Sequence, residues 1–245
     1  MSSADRALPR PSVPDLTLPK LSSRRRLKGE QGRSPYDGLR PWSAITHGIG
    51  IVLAVIGSFL LVLRAISMGS LWHGATYFVY GATMFALYTA STLYHSVNTS
   101  VKGRLLLRKL DHTSIYLLIA GTYTPICLTA LWGPWGWTLA GVIWSLAALG
   151  IVLAFAWIMA PRWLTAGIYL FMGWLAVIAV YPLSQALPPL GMFWLVTGGV
   201  LYTVGGVLYA VKWPGRDNPR FGCHEIFHVF ILLGSIAHYM LMWQL

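Results

Sequence analysis

Six side chains in this sequence have the types and spacing to do chemistry together: Ser91, His95, Asp111, His224, Glu225 and His228. His224 and His228 stand four residues apart, as do Ser91 and His95, so on a helix each pair projects from one face. Three neutral imidazoles about 2.0–2.1 Å from a zinc ion, with water in the fourth position, make an open metal site. A neighbouring carboxylate would hydrogen-bond that water or take its proton, and zinc can bring the pKa of its water to about 7. The expected centre is therefore zinc on His95, His224 and His228, with Asp111 managing the proton and Ser91 donating to a developing oxyanion.

A competing pattern overlaps it. His224-Glu225-Ile226-Phe227-His228 matches H-E-x-x-H, the zinc protease motif in which Glu is the general base. That reading leaves His95 and Ser91 without a role. The remaining histidines separate by position. His238 lies ten residues past His228, about 15 Å along a helix, and cannot share its metal. His112 points about 100° away from Asp111 on a helix and reads as interfacial. His73 reads as a solvated residue of a connector, and His47 as a packing or capping residue at the level of the metal site.

These groups must be positioned by long apolar elements. Stretches near 44–66, 74–97, 111–131, 136–159, 163–183, 192–212 and 223–244 each approach the roughly 20 apolar residues needed to cross a hydrocarbon core of about 30 Å. Alternating strand patterns are absent, which excludes a β-barrel reading. The expected fold is all-α and polytopic, with seven transmembrane helices. Pro125, in Gly121-Thr122-Tyr123-Thr124-Pro125, should kink the third stretch and free backbone groups for the Thr and Tyr hydroxyls.

Charge sets the expected orientation. The net charge is +11, and every Lys and Arg except Arg64 falls in 1–40 or in the connectors near 98–110, 160–162 and 212–222. By the positive-inside rule this puts the N-terminus in the cytoplasm and the C-terminus outside, as an odd number of spans requires. Ser91, His95, Asp111, His224 and His228 then meet at the cytoplasmic level. Residues 1–40 read as a disordered basic tail and 41–245 as the membrane domain. Basic residues beside a membrane answer to lipid headgroups, and no nucleic-acid-binding module accompanies them. Cys127 and Cys223 fall in different stretches and cannot form a Cys-x-x-Cys site.

Taken in order, Ser91-Thr92-Leu93-Tyr94-His95-Ser96, Leu110-Asp111-His112, Ala120-Gly121-Thr122-Tyr123-Thr124-Pro125 and His224-Glu225-Ile226-Phe227-His228 resemble the bacterial hemolysin III family. Thr46-His47-Gly48-Ile49-Gly50 fits the first helix of that family. The family is grouped with the progestin and adipoQ receptors, adiponectin receptors included, and is more distantly related to alkaline ceramidases. The resemblance covers about 41–245. It implies seven transmembrane helices in a bacterial cytoplasmic membrane, a cytoplasmic N-terminus, and zinc on His95, His224 and His228. It also implies that Asp111 contacts the zinc-bound water, with Ser91 beside it. Glu225 is not an obligatory position across the receptors, which counts against the protease reading.

Function is expected to be zinc-dependent hydrolysis of a lipid amide, with membrane lipids as partners and membrane lipid homeostasis as the setting. Two alternatives belong to other classes. One is a non-enzymatic sensor whose zinc is structural. The other is a cytolytic pore, which would need polar-lined helices or charged rings that these stretches lack.

Overall fold

The computed structural model describes residues 39–215 and 221–245. The tail expected over 1–40 lies outside the described residues up to position 38, as do Arg216 and Arg220. The described residues form eight α-helices and no strand: α1 Pro41–Ser67, α2 Leu71–Ser96, α3 Val101–Pro125, α4 Pro134–Ala156, α5 Arg162–Trp174, α6 Val180–Ala186, α7 Pro189–Val211 and α8 Cys223–Met242. A π-helical turn, Ile126–Ala130, continues α3, and a 3₁₀ turn, Leu175–Ala179, joins α5 to α6.

Six of the resulting spans are long and apolar enough to cross a membrane: Pro41–Ser67, Val101–Ala130, Pro134–Ala156, Arg162–Ala186, Pro189–Val211 and Cys223–Met242. The chain is a multi-pass membrane protein. The stretch expected over 74–97 is a 26-residue helix, α2, but does not reach the same apolarity. Its composition has a structural cause. α2 packs between α1 and α3 and turns inward a polar face that includes Thr76, Tyr80, Thr83, Tyr88, Ser91 and His95. Side chains on that inward face need not be apolar, which lowers the mean hydropathy of the helix.

Two expectations are corrected. The third apolar stretch begins at 111, but α3 begins at Val101, because Ser100 caps it by accepting a hydrogen bond from the Gly103 amide. Asp111 therefore sits well inside the helix, not at its start. The fifth stretch, expected as one helix over 163–183, is broken at Leu175–Ala179.

Side-chain hydroxyls of the Pro125 region serve both α3 and that break. The hydroxyls of Thr122 and Thr124 donate to the carbonyls of Leu118 and Ala120 within α3. Thr129 Oγ1 donates to the Pro125 carbonyl in the π turn. Tyr123 instead reaches across to the interrupted helix, donating to the Gly173 carbonyl at 2.7 Å and accepting from the Ala176 amide at 2.8 Å. Backbone groups freed by a break inside a membrane must find such partners.

The interior sits among α1, α2, α3 and α8. Tyr77 donates to the Met242 carbonyl, Tyr80 to the Ser235 carbonyl and Tyr88 to Ser235 Oγ, so three tyrosines of α2 tie it to α8. α5 is the looser element, packing on α7 and touching α3.

Candidate metal centre

α2 and α8 run close enough for their paired histidines to meet. His95 Nε2 lies 3.1 Å from His224 Nε2, and one ligand atom from each of His95, His224 and His228 falls within 4.8 Å of the others. Ring centroids are 4.8 Å apart for His95 and His224, 5.1 Å for His95 and His228, and 4.6 Å for His224 and His228. Two nitrogens bound tetrahedrally at about 2.05 Å would be roughly 3.3 Å apart. The 3.1 Å pair is close to that value, so His95 and His224 stand at metal-binding separation, and His228 would move inward to complete the set.

His228 is oriented from outside the cluster. Its Nδ1 lies 3.3 Å from the Ser43 carbonyl of α1, which can only accept, so Nδ1 carries the proton and Nε2 is left as the ligating atom. His47, also on α1, stacks flat on the His228 ring with centroids 3.7 Å apart and an angle of 14°. Both nitrogens of His47 are buried without a hydrogen bond among the described residues. The packing role expected for His47 is thus a direct one: α1 clamps the imidazole of α8 between a carbonyl and a ring.

Glu225 faces the other way. Its Oε1 accepts from Arg40 Nη1 at 3.0 Å and from Ser43 Oγ at 3.1 Å, and its Oε2 accepts from the Gly222 amide at 2.9 Å. A carboxylate at a helix N-terminus is favoured by the exposed amides and the helix dipole. The Arg40 amide donates to the His95 carbonyl at 3.1 Å, so the start of α1 is strapped to the end of α2 as well as to α8. With both oxygens held in this cap, Glu225 is not presented as a base, and the H-E-x-x-H pattern is structural in its second position.

Asp111 and Ser91 line the same cavity as the three histidines. Ser91 Oγ is near the Asp111 carboxyl but in no well-formed hydrogen bond. His112, expected to be interfacial, also lines this cavity, and its carbonyl accepts from Tyr169. His73, expected to be solvated, is in the first turn of α2 with Nδ1 2.7 Å from Ser70 Oγ. Cys223 and Cys127 are buried free thiols, neither in the histidine group.

The cavity measures about 280 Å³ and runs from this polar end into apolar walls formed by residues such as Leu118, Ile119, Ile126, Leu183, Leu195 and Val196. His238 and Tyr202 line its inner part. Trp174, Val177, Val180 and Val196 line the cavity and are also among the exposed residues, so this wall is a single side chain thick.

The sequence from 41 to 239 matches the profile of the family described as "Haemolysin-III related". The chain belongs to that family. Its similarity to the Hemolysin-3 homolog of Bacillus subtilis is 42% identity over 195 residues, covering 80% of this chain and 88% of that protein. The Hemolysin-3 of Bacillus cereus is also 42% identical over 195 residues, covering 79% and 85%. The human Monocyte to macrophage differentiation factor is 28% identical over 206 residues, 81% of each chain, which extends the likeness into the progestin and adipoQ receptor superfamily. In this hemolysin III-related chain the three histidines come from two helices, and a third helix, α1, orients them. The sequence carried a hint of that third helix: His47 begins the first apolar stretch at the same level. It carried no hint that Arg40 and Ser43 would capture Glu225.

Proposed function

We propose that this protein spans the cytoplasmic membrane of a bacterium seven times, with its N-terminus in the cytoplasm and α2 as the polar seventh span. We infer further that it binds zinc through His95, His224 and His228 and hydrolyses an amide of a membrane lipid, serving membrane lipid homeostasis. The observation that carries the reading is the convergence of three imidazoles, beside a carboxylate and a serine hydroxyl, at the polar end of a largely apolar cavity.

Bound zinc would polarise a carbonyl and make water acidic at that point. The apolar walls would hold an acyl chain so that its amide lies at the histidine end. Asp111 would receive the proton of the attacking water and return it to the amine as the carbon–nitrogen bond breaks, leaving a carboxylic acid and an amine. Ser91 Oγ, which has no settled hydrogen bond, would donate to the carbonyl oxygen as charge builds on it.

A zinc that merely staples helices is the second reading, and the tyrosines weigh against its necessity. α2 and α8 are already joined by Tyr77, Tyr80 and Tyr88, each hydrogen bond contributing about 1 kcal/mol within a bundle. Purified protein in nanodiscs should contain one zinc per chain and release fatty acid from ceramides or acyl amides. Metal-loaded protein that turns over none of them would remove the hydrolase reading. Unfolding on chelation would favour the staple.

A further inference from the structure

We propose that the acyl amide taken by this cavity carries an anionic headgroup, a carboxylate in the simplest case, and that Arg162 recognises it. The inference rests on the cavity being the acyl-amide site described above.

Three arginines line the histidine end: Arg40, Arg108 and Arg162. Two have acids beside them. Arg40 is paired with Glu225 at 3.0 Å, and Arg108 adjoins the Asp111 carboxyl, one helical turn along α3. Arg162, the first residue of α5, makes no ion pair among the described residues. Its guanidinium carbon lies 4.8 Å above the ring of Tyr209, whose ring is 5.7 Å from that of His224. The cation is therefore one aromatic ring away from the metal-competent cluster.

Its posture argues against a role in orientation alone. An arginine that serves the positive-inside rule extends its head into water and lipid phosphates. Arg162 is half-buried and lies against an aromatic side chain in the cavity wall. A cation over an aromatic ring uses the ring's face and not its own N–H donors, so the guanidinium fork remains available to match a carboxylate. Among the described residues that line the cavity, Asp111 is the one carboxylate. A metal ion would add to the positive excess. A neutral headgroup packed beside Arg162 would give it no counter-charge, whereas an anion would supply one.

The test uses the full chain in nanodiscs and three ligands with the same C18 chain: N-oleoylglycine, N-oleoylethanolamine and oleate. Equilibrium binding is measured on zinc-loaded and on chelated protein, beside hydrolysis. Wild type should bind N-oleoylglycine roughly tenfold more tightly than N-oleoylethanolamine, the range for a charge-assisted hydrogen bond, and should do so in both metal states. With an unchanged melting temperature showing that the variant is folded, Arg162→Gln should erase that preference. Arg162→Lys should restore part of it. Equal binding of the two amides by wild type, or a preference that survives Arg162→Gln, overturns the proposal. So does oleate binding as tightly as N-oleoylglycine with the same dependence on Arg162, since the arginine would then read the acyl product. Preference without hydrolysis sinks the hydrolase reading and leaves this one standing; hydrolysis without preference does the reverse.

Discussion

Two buried histidine arrangements in this protein differ in one respect. In the histidine cluster, His228 is stacked on His47, and towards the C-terminal end of α8 His238 is stacked on Tyr202 with centroids 5.2 Å apart and an angle of 24°. Both rings use Nδ1 against a carbonyl, Ser43 for His228 and Gly234 for His238. The acceptor for His228 belongs to another helix, and two more imidazoles face the nitrogen left over. The acceptor for His238 is one turn back on its own helix, and no second imidazole approaches it among the described residues.

The His238–Tyr202 pair is a packing device. A Cβ on Gly198 of α7 would fall inside van der Waals contact with the His238 ring, and one on Gly234 of α8 would do the same with the Tyr202 ring. Each helix thus seats the other's ring on a glycine, and Tyr202 completes the lock through Ser235 Oγ at 2.9 Å. Close approach of this kind is how membrane helices gain contact without a hydrophobic driving force. Burial and stacking, then, do not make a histidine a ligand. Convergence of lone pairs does.

That contrast can be broken most forcefully by removing ligands. The His224→Ala/His228→Ala double variant should lose essentially all bound metal by elemental analysis, whereas His238→Ala should keep it. Loss of metal from His238→Ala would erase the distinction. Asp111→Asn should retain the metal and fall at least about 100-fold in turnover, the usual contribution of a general acid–base group. A variant that loses metal instead would place Asp111 among the ligands. Gly198→Ala should cost about 1–3 kcal/mol through overpacking, read as a lower melting temperature at unchanged metal content. Adding His238→Ala should recover part of that loss, because the clash is with the ring, and failure to recover would mean that α7 meets something other than His238 there. The smallest effect is expected for Glu225→Gln. Loss of the cap and of a pair with partly exposed Arg40 should lower stability by about 1 kcal/mol, with metal content and turnover within a few-fold of wild type. A collapse of turnover to Asp111→Asn levels would restore Glu225 as a base.

Much of this arrangement was legible before any coordinates. The apolar stretches, the i,i+4 pairs His224/His228 and Ser91/His95, and the common level of their helices follow from local periodicity and from charge bias. Hydropathy set α2 beside the other apolar stretches, although α2 falls short of their apolarity because its inner face is polar. It misled at Leu175–Ala179, where a continuous apolar run hides a break that Tyr123 of α3 makes tolerable.

Sequence by itself determined which elements form and which side chains share a helix face, since both depend on residues within a few turns of one another. Only the tertiary structure decided that Glu225 would turn to Arg40 and Ser43, that His47 would lie on His228, and that Arg162 would rest on Tyr209 beside the cavity. Those outcomes depend on how each helix is rotated about its axis and how far it slides past its neighbours. Packing across the whole bundle sets both quantities, and no local pattern encodes them.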